Sequence, residues 1–299
     1  MDMLRITGLH KRFGDKAVLN GLELTVPEHS IFGFIGKNGA GKTTTMKTIL
    51  GLLQPDAGEI LVNGEPVVYG QTATNRHIGY LPDVPAFYPF MTAMEYLRFC
   101  GEITGMDKAA CEHRSKELLE LVGLSGEKHR IKGFSRGMKQ RLGIAQALLN
   151  QPKLLICDEP TSALDPVGRK EILDILLSVR EQTTVLFSTH ILSDVERICT
   201  DVAFLGDGVI RLQGTLADMK AQFRGEEYLL ETEQTADLSL LLQAFPRMEQ
   251  NNQNQLVFRE HDHMISDVLR FLANHDLPLL KLERVEPNLE SLFMEVTQK

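Results

Sequence analysis

The sequence lacks the long apolar runs that mark membrane-spanning and secreted proteins. No stretch of about eighteen consecutive apolar residues occurs, so we do not expect the chain to cross a membrane by itself. The first residues, Met1–Arg5, have neither a basic flank nor an apolar core, and we therefore expect no secretory signal.

Cysteine is also scarce. The four residues of this type are Cys100, Cys111, Cys157 and Cys199, and their spacing is not that of a metal site. We expect unpaired thiols in a reducing compartment.

Charge is unevenly distributed along the chain. The sequence has 32 basic and 40 acidic side chains, which gives a net charge of −8. Residues 226–299 contain 6 basic and 14 acidic side chains, which leaves 26 of each in residues 1–225. The whole net charge therefore lies in the last quarter of the chain, which argues against a nucleic-acid-binding tail.

A complete phosphate-binding motif, Gly-Lys-Asn-Gly-Ala-Gly-Lys-Thr, occupies residues 36–43. It follows an apolar run that indicates a buried strand and precedes a stretch with helical spacing. Its glycines allow backbone N–H groups to surround phosphate oxygens, Lys42 brings a positive charge to the β- and γ-phosphates, and Thr43 can ligate Mg²⁺. The alternative is a glycine-rich turn with a surface lysine, which the complete motif in this context disfavours. The nucleotide-binding residues that we expect here are Gly36, Lys37, Asn38, Gly39, Ala40, Gly41, Lys42, Thr43 and Thr44.

Strand-like and helix-like segments alternate as far as about residue 220. Examples of strands are Ile31–Ile35, Leu154–Cys157 and Thr184–Phe187, and helical spacing is found at Ala93–Ile103 and Arg136–Leu149. This alternation predicts an α/β fold with a largely parallel sheet that is covered on both faces.

A different pattern begins at residues 224–227, Arg-Gly-Glu-Glu. Short strands and helices follow, which predict a small α+β unit without a chemical motif. Polar residues at Gln250–Gln255 predict a hairpin turn, and a recognition loop at Asn251–Asn254 is the alternative. We therefore expect one domain at residues 1–224 and an accessory domain at residues 225–299.

Further polar residues follow two of the predicted strands. Asp158 and Glu159 follow the strand at Leu154–Cys157, and the segment Ser188-Thr189-His190 follows Thr184–Phe187 and ends that strand. Such a carboxylate pair is commonly a cap or turn, but after a phosphate loop it suits nucleotide hydrolysis. Asp158 is then placed to hold Mg²⁺, and Glu159 to polarise the attacking water. His190, which by itself would be an ordinary loop residue, can contact the γ-phosphate and orient that water.

The order of the remaining motifs identifies a family resemblance. Gly133-Phe134-Ser135-Arg136-Gly137-Met138-Lys139-Gln140-Arg141 precedes the acidic strand, and Ser162-Ala163-Leu164-Asp165 follows it. Together with the phosphate loop, this order resembles the ATP-binding-cassette (ABC) transporter ATPases over residues 1 to about 220. The resemblance implies a P-loop NTPase with a mixed, largely parallel sheet, an antiparallel β portion and a helical subdomain at about residues 90–150.

The resemblance also implies a dimeric site with two ATP molecules and Mg²⁺. Ser135 and Gly137 correspond to the family's signature, which closes over the γ-phosphate bound by another subunit. Phe13 occupies the family's adenine-stacking position, although a core phenylalanine is the competing interpretation. The expected metal ligands are Thr43 and Asp158, and the expected catalytic residues are Glu159 and His190.

Two positions depart from the family pattern. The usual signature is Leu-Ser-Gly-Gly-Gln, whereas this chain keeps only Ser135 and Gly137 of it. Asp83 stands where the family has a glutamine, which leaves its contact with the metal in question because aspartate is shorter and accepts only. Both variants, with the acidic C-terminal unit, resemble the branch that exports drugs and bacteriocins.

The resemblance implies an ATPase on the inner, cytoplasmic face of a membrane that powers export through a separate permease. Its expected partners are ATP, a second copy or a homologous ATPase subunit, and the permease, with no nucleic acid. Alternatives are an ATPase that gates a membrane-bound sensor complex and a non-transport ABC ATPase. The apolar segment Val84–Met91 either packs onto the helical subdomain or forms a groove for a permease helix.

Overall fold

The computed structural model describes residues 2–71, 73–222, 227–252, 254–259, 264–285, 289–290 and 292–293. These residues divide into two compact units. The first is Met1–Leu216 with Phe293–Lys299, and the second is Ala217–Leu292. In the described part of the chain, no helix is both long and apolar enough to span a membrane.

An antiparallel sheet begins the first unit. Its first two strands form a hairpin, and alternate side chains along them are buried, as expected for strands with one face on a core. The tight turn between them contains Gly14, whose φ of 56° favours glycine. The strands, in spatial order, are β2 (Lys16–Pro27), β1 (Asp2–Phe13), β4 (Ala57–Val62) and β5 (Glu65–Pro66).

A six-stranded sheet forms the centre of the first unit. Five of its strands are parallel, and the strand at one edge is antiparallel to its neighbour. Three central strands are buried along their whole length, because the helix Lys42–Ile49 and the antiparallel sheet pack against one face and the helix Leu192–Ile198 packs against the other. In spatial order the strands are β10 (Val209–Thr215), β9 (Asp201–Gly206), β3 (Ile31–Gly36), β8 (Thr184–Thr189), β7 (Leu154–Asp158) and β6 (Ile78–Leu81).

Polar caps set the beginnings of several helices. Thr92 and Glu95 form a capping box, Asp107 and Ser135 accept backbone N–H groups, and Asp165 precedes a proline at the first helical position. The helices of this unit are α1 (Lys42–Ile49), α2 (Ala93–Ile103), α3 (Lys108–Leu121), α4 (Arg136–Leu148), α5 (Pro166–Val179) and α6 (Leu192–Ile198). Short 3₁₀ helices occur at Ala73–His77 and Ile131–Gly133, and α7 (Leu216–Gln222) leads into the second unit.

The second unit has a β-α-β-β-α-β order and a four-stranded antiparallel sheet, which is the ferredoxin-like arrangement. Its core contains Leu230, Leu241, Phe258 and Val268, all buried. The elements, in chain order, are β11 (Glu227–Thr232), α8 (Thr235–Ala244), β12 (Glu249–Asn252), β13 (Gln255–Arg259), α9 (Met264–Asn274) and β14 (Leu279–Arg284).

The fold class predicted from the sequence is confirmed, and the bounds of one predicted turn differ from those in the structure. Four free cysteines agree with the prediction of unpaired thiols. The predicted turn at Gln250–Gln255 is wrong in extent, because its first half is strand β12 and pairs with β13. The predicted boundary at residue 224 lies outside the described residues.

Candidate functional site

The loop between β3 and α1 has a backbone shape that demands glycine. Gly41, which immediately precedes α1, has a φ of 115°. A Cβ atom there would lie 2.9 Å from Leu19 Cδ2 and 3.2 Å from the Val18 carbonyl oxygen. Gly39 also has a positive φ, of 82°. The loop can therefore present its N–H groups at the N-terminus of α1, which is a favourable place for an anion.

Lys42 is buried beneath this loop, with only 6% of its side chain exposed. Its Nζ donates a hydrogen bond of 2.7 Å to the Gly36 carbonyl oxygen. The same atom lies 3.1 Å from Glu159 Oε1. Lys42 thus connects the phosphate loop with the end of β7.

Asp158, the last residue of β7, is 4% exposed and has both carboxylate oxygens occupied. The hydroxyl of Thr43 donates to Asp158 Oδ2 at 2.7 Å, and the hydroxyl of Ser188 donates to Oδ1 at 2.7 Å. Ser188 was missed by the sequence analysis, although it belongs to the same Ser-Thr-His segment as His190. Its place close to His190 at the end of a predicted strand was the available signal, and the pairing of β8 with β7 sets it beside Asp158.

Glu159 is held in a left-handed backbone conformation with a φ of 49°. Its N–H donates to the carbonyl oxygen of Ser188 at 3.2 Å and to its hydroxyl at 3.1 Å. His190 Nδ1 lies 2.9 Å from Glu159 Oε2, on the opposite oxygen from Lys42. The structure thus brings together Lys42, Glu159 and His190, three of the residues expected at the site.

These residues line a cleft of about 640 Å³, within the usual range for a small-molecule site. Phe13 lies in its wall and is 50% exposed, so the interpretation of Phe13 as a core residue is wrong. Lys11 Nζ lies 5.5 Å from the centre of the Phe13 ring. The cleft is lined by Phe13, Lys16, Val18, Asn38, Gly39, Gly41, Lys42, Thr43, Thr44, Asp83, Asp158, Glu159, Ser162 and His190.

Ser135 and Gly137 are absent from the residues that line this cleft, and they lie at the beginning of α4. Ser135 is the N-cap, and its hydroxyl accepts the Met138 N–H at 3.2 Å. A Cβ atom at Gly137 would meet no atom closer than 3.9 Å, so the fold of the chain itself does not require glycine there.

Asp83 connects the cleft with α4. Its Oδ1 lies 3.3 Å from an Arg136 guanidinium nitrogen, and its carbonyl oxygen accepts a 2.8 Å hydrogen bond from Gln140 Nε2. Gln140 is 1% exposed. Both α4 partners were missed by the sequence analysis, because helical spacing does not show which residue faces a neighbouring loop.

The residues at the cleft suit a hard cation that keeps most of its water. Thr43 and Asp158 meet through oxygen atoms, which are the donors that Mg²⁺ prefers. Within the described residues, no group of three or more His, Cys, Asp and Glu side chains forms a metal cluster. Two protein ligands fit a cation that is also bound by the phosphates of a nucleotide.

Two family models match separate parts of this chain. Residues 19–162 match the family model described as "ABC transporter", and residues 214–297 match the one described as "ATP-binding protein DrrA1-3-like, C-terminal domain". The uncharacterized ABC transporter ATP-binding protein YxlF of Bacillus subtilis (strain 168) is 39% identical, covering 98% of this chain and 99% of the relative. The bacitracin transport ATP-binding protein BcrA of Bacillus licheniformis is 33% identical, covering 98% of this chain and 97% of the relative.

Two further matches support the same relationship. The linearmycin resistance ATP-binding protein LnrL of Bacillus subtilis (strain 168) is 32% identical, covering 99% of this chain and 98% of the relative. A solved structure described as "Structure of ATP binding subunit of ABC transporter" has a TM-score of 0.66 and 34% identity, covering 74% of this chain and 93% of the other.

Proposed function

This chain belongs to the ABC transporter ATP-binding proteins, which are ATPases, and we propose that it hydrolyses ATP to power export through a separate membrane permease. The observation that carries this proposal is the convergence of Lys42, Glu159 and His190 at one cleft. A buried ammonium group, a carboxylate and an imidazole then surround the position of a phosphate group and its attacking water.

Each of these residues has a definite task in the proposed reaction. Lys42 neutralises phosphate charge, which releases Glu159 from its ion pair when a nucleotide enters. Glu159 then accepts the proton of the attacking water, and His190 orients the water and the γ-phosphate. Phe13 stacks on the adenine ring from the wall of the cleft.

Thr43 and Asp158 would hold Mg²⁺. When bound, the ion would neutralise charge on the β- and γ-phosphates. Ser188 supports this pair by occupying the second oxygen of Asp158, which fixes the orientation of that carboxylate. Asp83 lies in the cleft but pairs with Arg136, so it serves to connect nucleotide and α4 rather than to ligate the metal.

Two copies of the chain, or this chain and a homologous subunit, complete each site. Ser135 and Gly137 of one chain close over the ATP held by the other. Gly137 supports this arrangement, because its own chain leaves the space beside it open. A closely approaching ligand accounts for the glycine.

The permease contact lies on the segment Val84–Met91, beside the helical subdomain. Tyr88 is 47% exposed and its ring packs against Phe99, with 5.4 Å between ring centres. Phe87 instead packs edge-on against Tyr96 at 5.1 Å and is half-buried. Both rings line a groove of about 510 Å³, and Tyr88, the more exposed of the two, is the proposed aromatic anchor.

Export is supported by the relatives, two of which are named for bacitracin transport and linearmycin resistance. The protein then acts at the inner, cytoplasmic face of the membrane, with an ATPase domain at residues 1–224 and an accessory domain at residues 225–299. An ATPase that gates a membrane-bound sensor complex would share the same cleft. ATP turnover stimulated by a transported compound distinguishes a pump from such a gate.

The nucleotide chemistry is tested with two variants of the purified chain. Lys42→Ala should abolish detectable ATP binding, because the loop loses its buried positive charge. Glu159→Gln should leave binding intact and nearly stop turnover, because an amide cannot accept the proton. Equal loss of binding in both variants, measured by calorimetry with ATP and Mg²⁺, would contradict these roles.

The permease contact is tested with Tyr88→Asp. This variant should keep the basal ATPase activity of the isolated chain and weaken both co-purification with the permease and transport. Phe87→Asp serves as the matched control and should destabilise the fold, because its ring packs within it. Normal transport by Tyr88→Asp would place the contact elsewhere.

A further inference from the structure

The two edges of the C-terminal sheet differ in composition. At one edge β12 contains only the polar residues Glu249, Gln250, Asn251 and Asn252, all of them exposed. At the other edge β14 contains three leucines and three charged residues, and Leu280 is 59% exposed. Edge strands are normally protected by polar side chains, so the exposed Leu280 distinguishes this edge from β12.

Within the described part of the chain, β14 pairs with β11 alone. The Val285 N–H donates to the Glu227 carbonyl oxygen at 2.8 Å. Backbone groups alternate in direction along an antiparallel strand, so Lys281 and Glu283 also face β11, and Leu282 directs its N–H and C=O away from the sheet. Leu282 can therefore continue the sheet with another strand.

The charges on β14 favour one register for pairing with β14 of a second copy. An antiparallel pair centred on Leu282 sets Lys281 of each chain opposite Glu283 of the other. A pair centred on Lys281 or on Glu283 would instead set like charges against each other. Since Leu282 then forms the hydrogen-bonded pair, the charged residues occupy the adjacent pairs, in which side chains approach most closely.

The contacts within one chain already fit this arrangement. Lys281 Nζ and Glu283 Oε1 lie 2.6 Å apart, and both side chains remain about half exposed. Two copies would form a group of four charges with alternating sign. On the opposite face, Leu282 packs partly against the core of the unit and would meet its counterpart.

We propose that β14 pairs with β14 of a second copy of this chain, antiparallel about Leu282, and joins two C-terminal units without nucleotide. The register of β14 against β11 shifts beside Leu280, which confines regular pairing to a short segment. The contact is therefore smaller than a stable interface and forms a concentration-dependent equilibrium. Two chains held on one permease would raise the effective concentration of the strands.

Charge reversal tests the pairing in the full-length chain, by sedimentation velocity over a concentration series without nucleotide. Lys281→Glu and Glu283→Lys should each weaken self-association by about tenfold, because each creates two like-charged cross-strand pairs. The double variant Lys281→Glu with Glu283→Lys should restore association. Glu249→Lys, on the opposite edge, is the control and should behave as the unchanged chain.

Disulfide trapping tests the register. Lys281→Cys mixed with Glu283→Cys should cross-link on mild oxidation, because opposite residues in this pair lie within disulfide reach. Lys281→Cys alone should cross-link far less, since its counterpart lies diagonally across the pair. The unchanged chain controls for the four native thiols.

Three results would overturn the proposal. In the first, the unchanged chain stays monomeric over the whole concentration series and the cysteine variants give no cross-link. In the second, the single charge reversals leave self-association unchanged. In the third, the double variant does not recover self-association. None of them bears on ATP hydrolysis, because the measurements contain no nucleotide. A chain that self-associates through β14 yet fails to bind ATP would instead refute the proposed function.

Discussion

Contacts from neighbouring residues hold Glu159 in an unfavourable, left-handed backbone conformation. A left-handed backbone at a residue other than glycine costs about 1–3 kcal/mol. Ser188 holds the Glu159 N–H, while Lys42 and His190 hold its two carboxylate oxygens. The sequence showed the residue types of this site, but the strained backbone depends on β8 and could not be predicted from β7 alone.

Asp194 is a second residue whose importance appears only in three dimensions. It is 2% exposed, lies four residues after His190, and accepts a 2.7 Å hydrogen bond from the Thr161 hydroxyl. It therefore connects α6 with the segment that follows Glu159. Burial raises the pKa of the Asp194 carboxyl, while the Thr161 hydrogen bond and the charges of Arg169, Arg197 and His190 oppose that shift.

This raised pKa predicts a pH dependence of stability. An acid with a raised pKa in the fold favours the folded state when protonated, and it loses that contribution as the pH rises through the folded pKa. The unfolding free energy of the unchanged chain, relative to Asp194→Asn, should therefore fall as the pH rises above about 4, the usual aspartate value. Denaturant titrations of both chains between pH 4 and pH 8 measure this difference. A difference that grows with pH would contradict a raised pKa of Asp194.

At the scale of elements, residue pattern and capping chemistry predicted most of the first unit. The phosphate loop and α2 lie where the sequence predicted them, because each combines a clear residue pattern with a cap or turn residue. Strand β12 was missed because its four polar residues resemble a turn. It forms because β13 provides a pairing edge, which is information from outside the segment.

Removing the C-terminal elements should lower the stability of the chain and leave its ATP binding intact. Residues of the cleft all precede residue 191, so truncation after Arg224 should preserve ATP binding. The truncated chain also loses Phe293, whose ring centre lies 5.8 Å from that of the buried Phe204. We expect its unfolding free energy to fall by about 2 kcal/mol from this loss.

The matched control is Phe293→Ala in the full-length chain, which should lower the thermal midpoint similarly without removing the accessory unit. Isothermal calorimetry with ATP and Mg²⁺, together with thermal unfolding, distinguishes the two effects. A truncated chain that keeps its circular dichroism spectrum but no longer binds ATP would contradict this separation.

At the scale of the whole molecule, the uneven charge follows the division into units. The first 225 residues have balanced charge, and the excess of acidic side chains lies in the C-terminal part of the chain. The change of pattern at residues 224–227 predicted two domains, and the phosphate-loop motif predicted the nucleotide cleft. The ferredoxin-like order of the second unit could not be predicted, since it depends on recognising β12.

In the proposed dimer, one chain provides the cleft and another provides Ser135 and Gly137. Two inactive variants, Lys42→Ala and Gly137→Asp, test it by complementation. Lys42→Ala disables the phosphate loop and keeps the beginning of α4 intact. In Gly137→Asp the added side chain fits its own fold and suits a helix N-terminus, but it repels the phosphate of the neighbouring chain.

The measurement is the ATPase rate of the two variants alone and in an equimolar mixture. Each alone should be inactive, and the mixture should recover up to about a quarter of the unchanged rate, because half of randomly formed dimers are mixed and each contains one complete site. A mixture no more active than the sum of its components would contradict a site shared between chains.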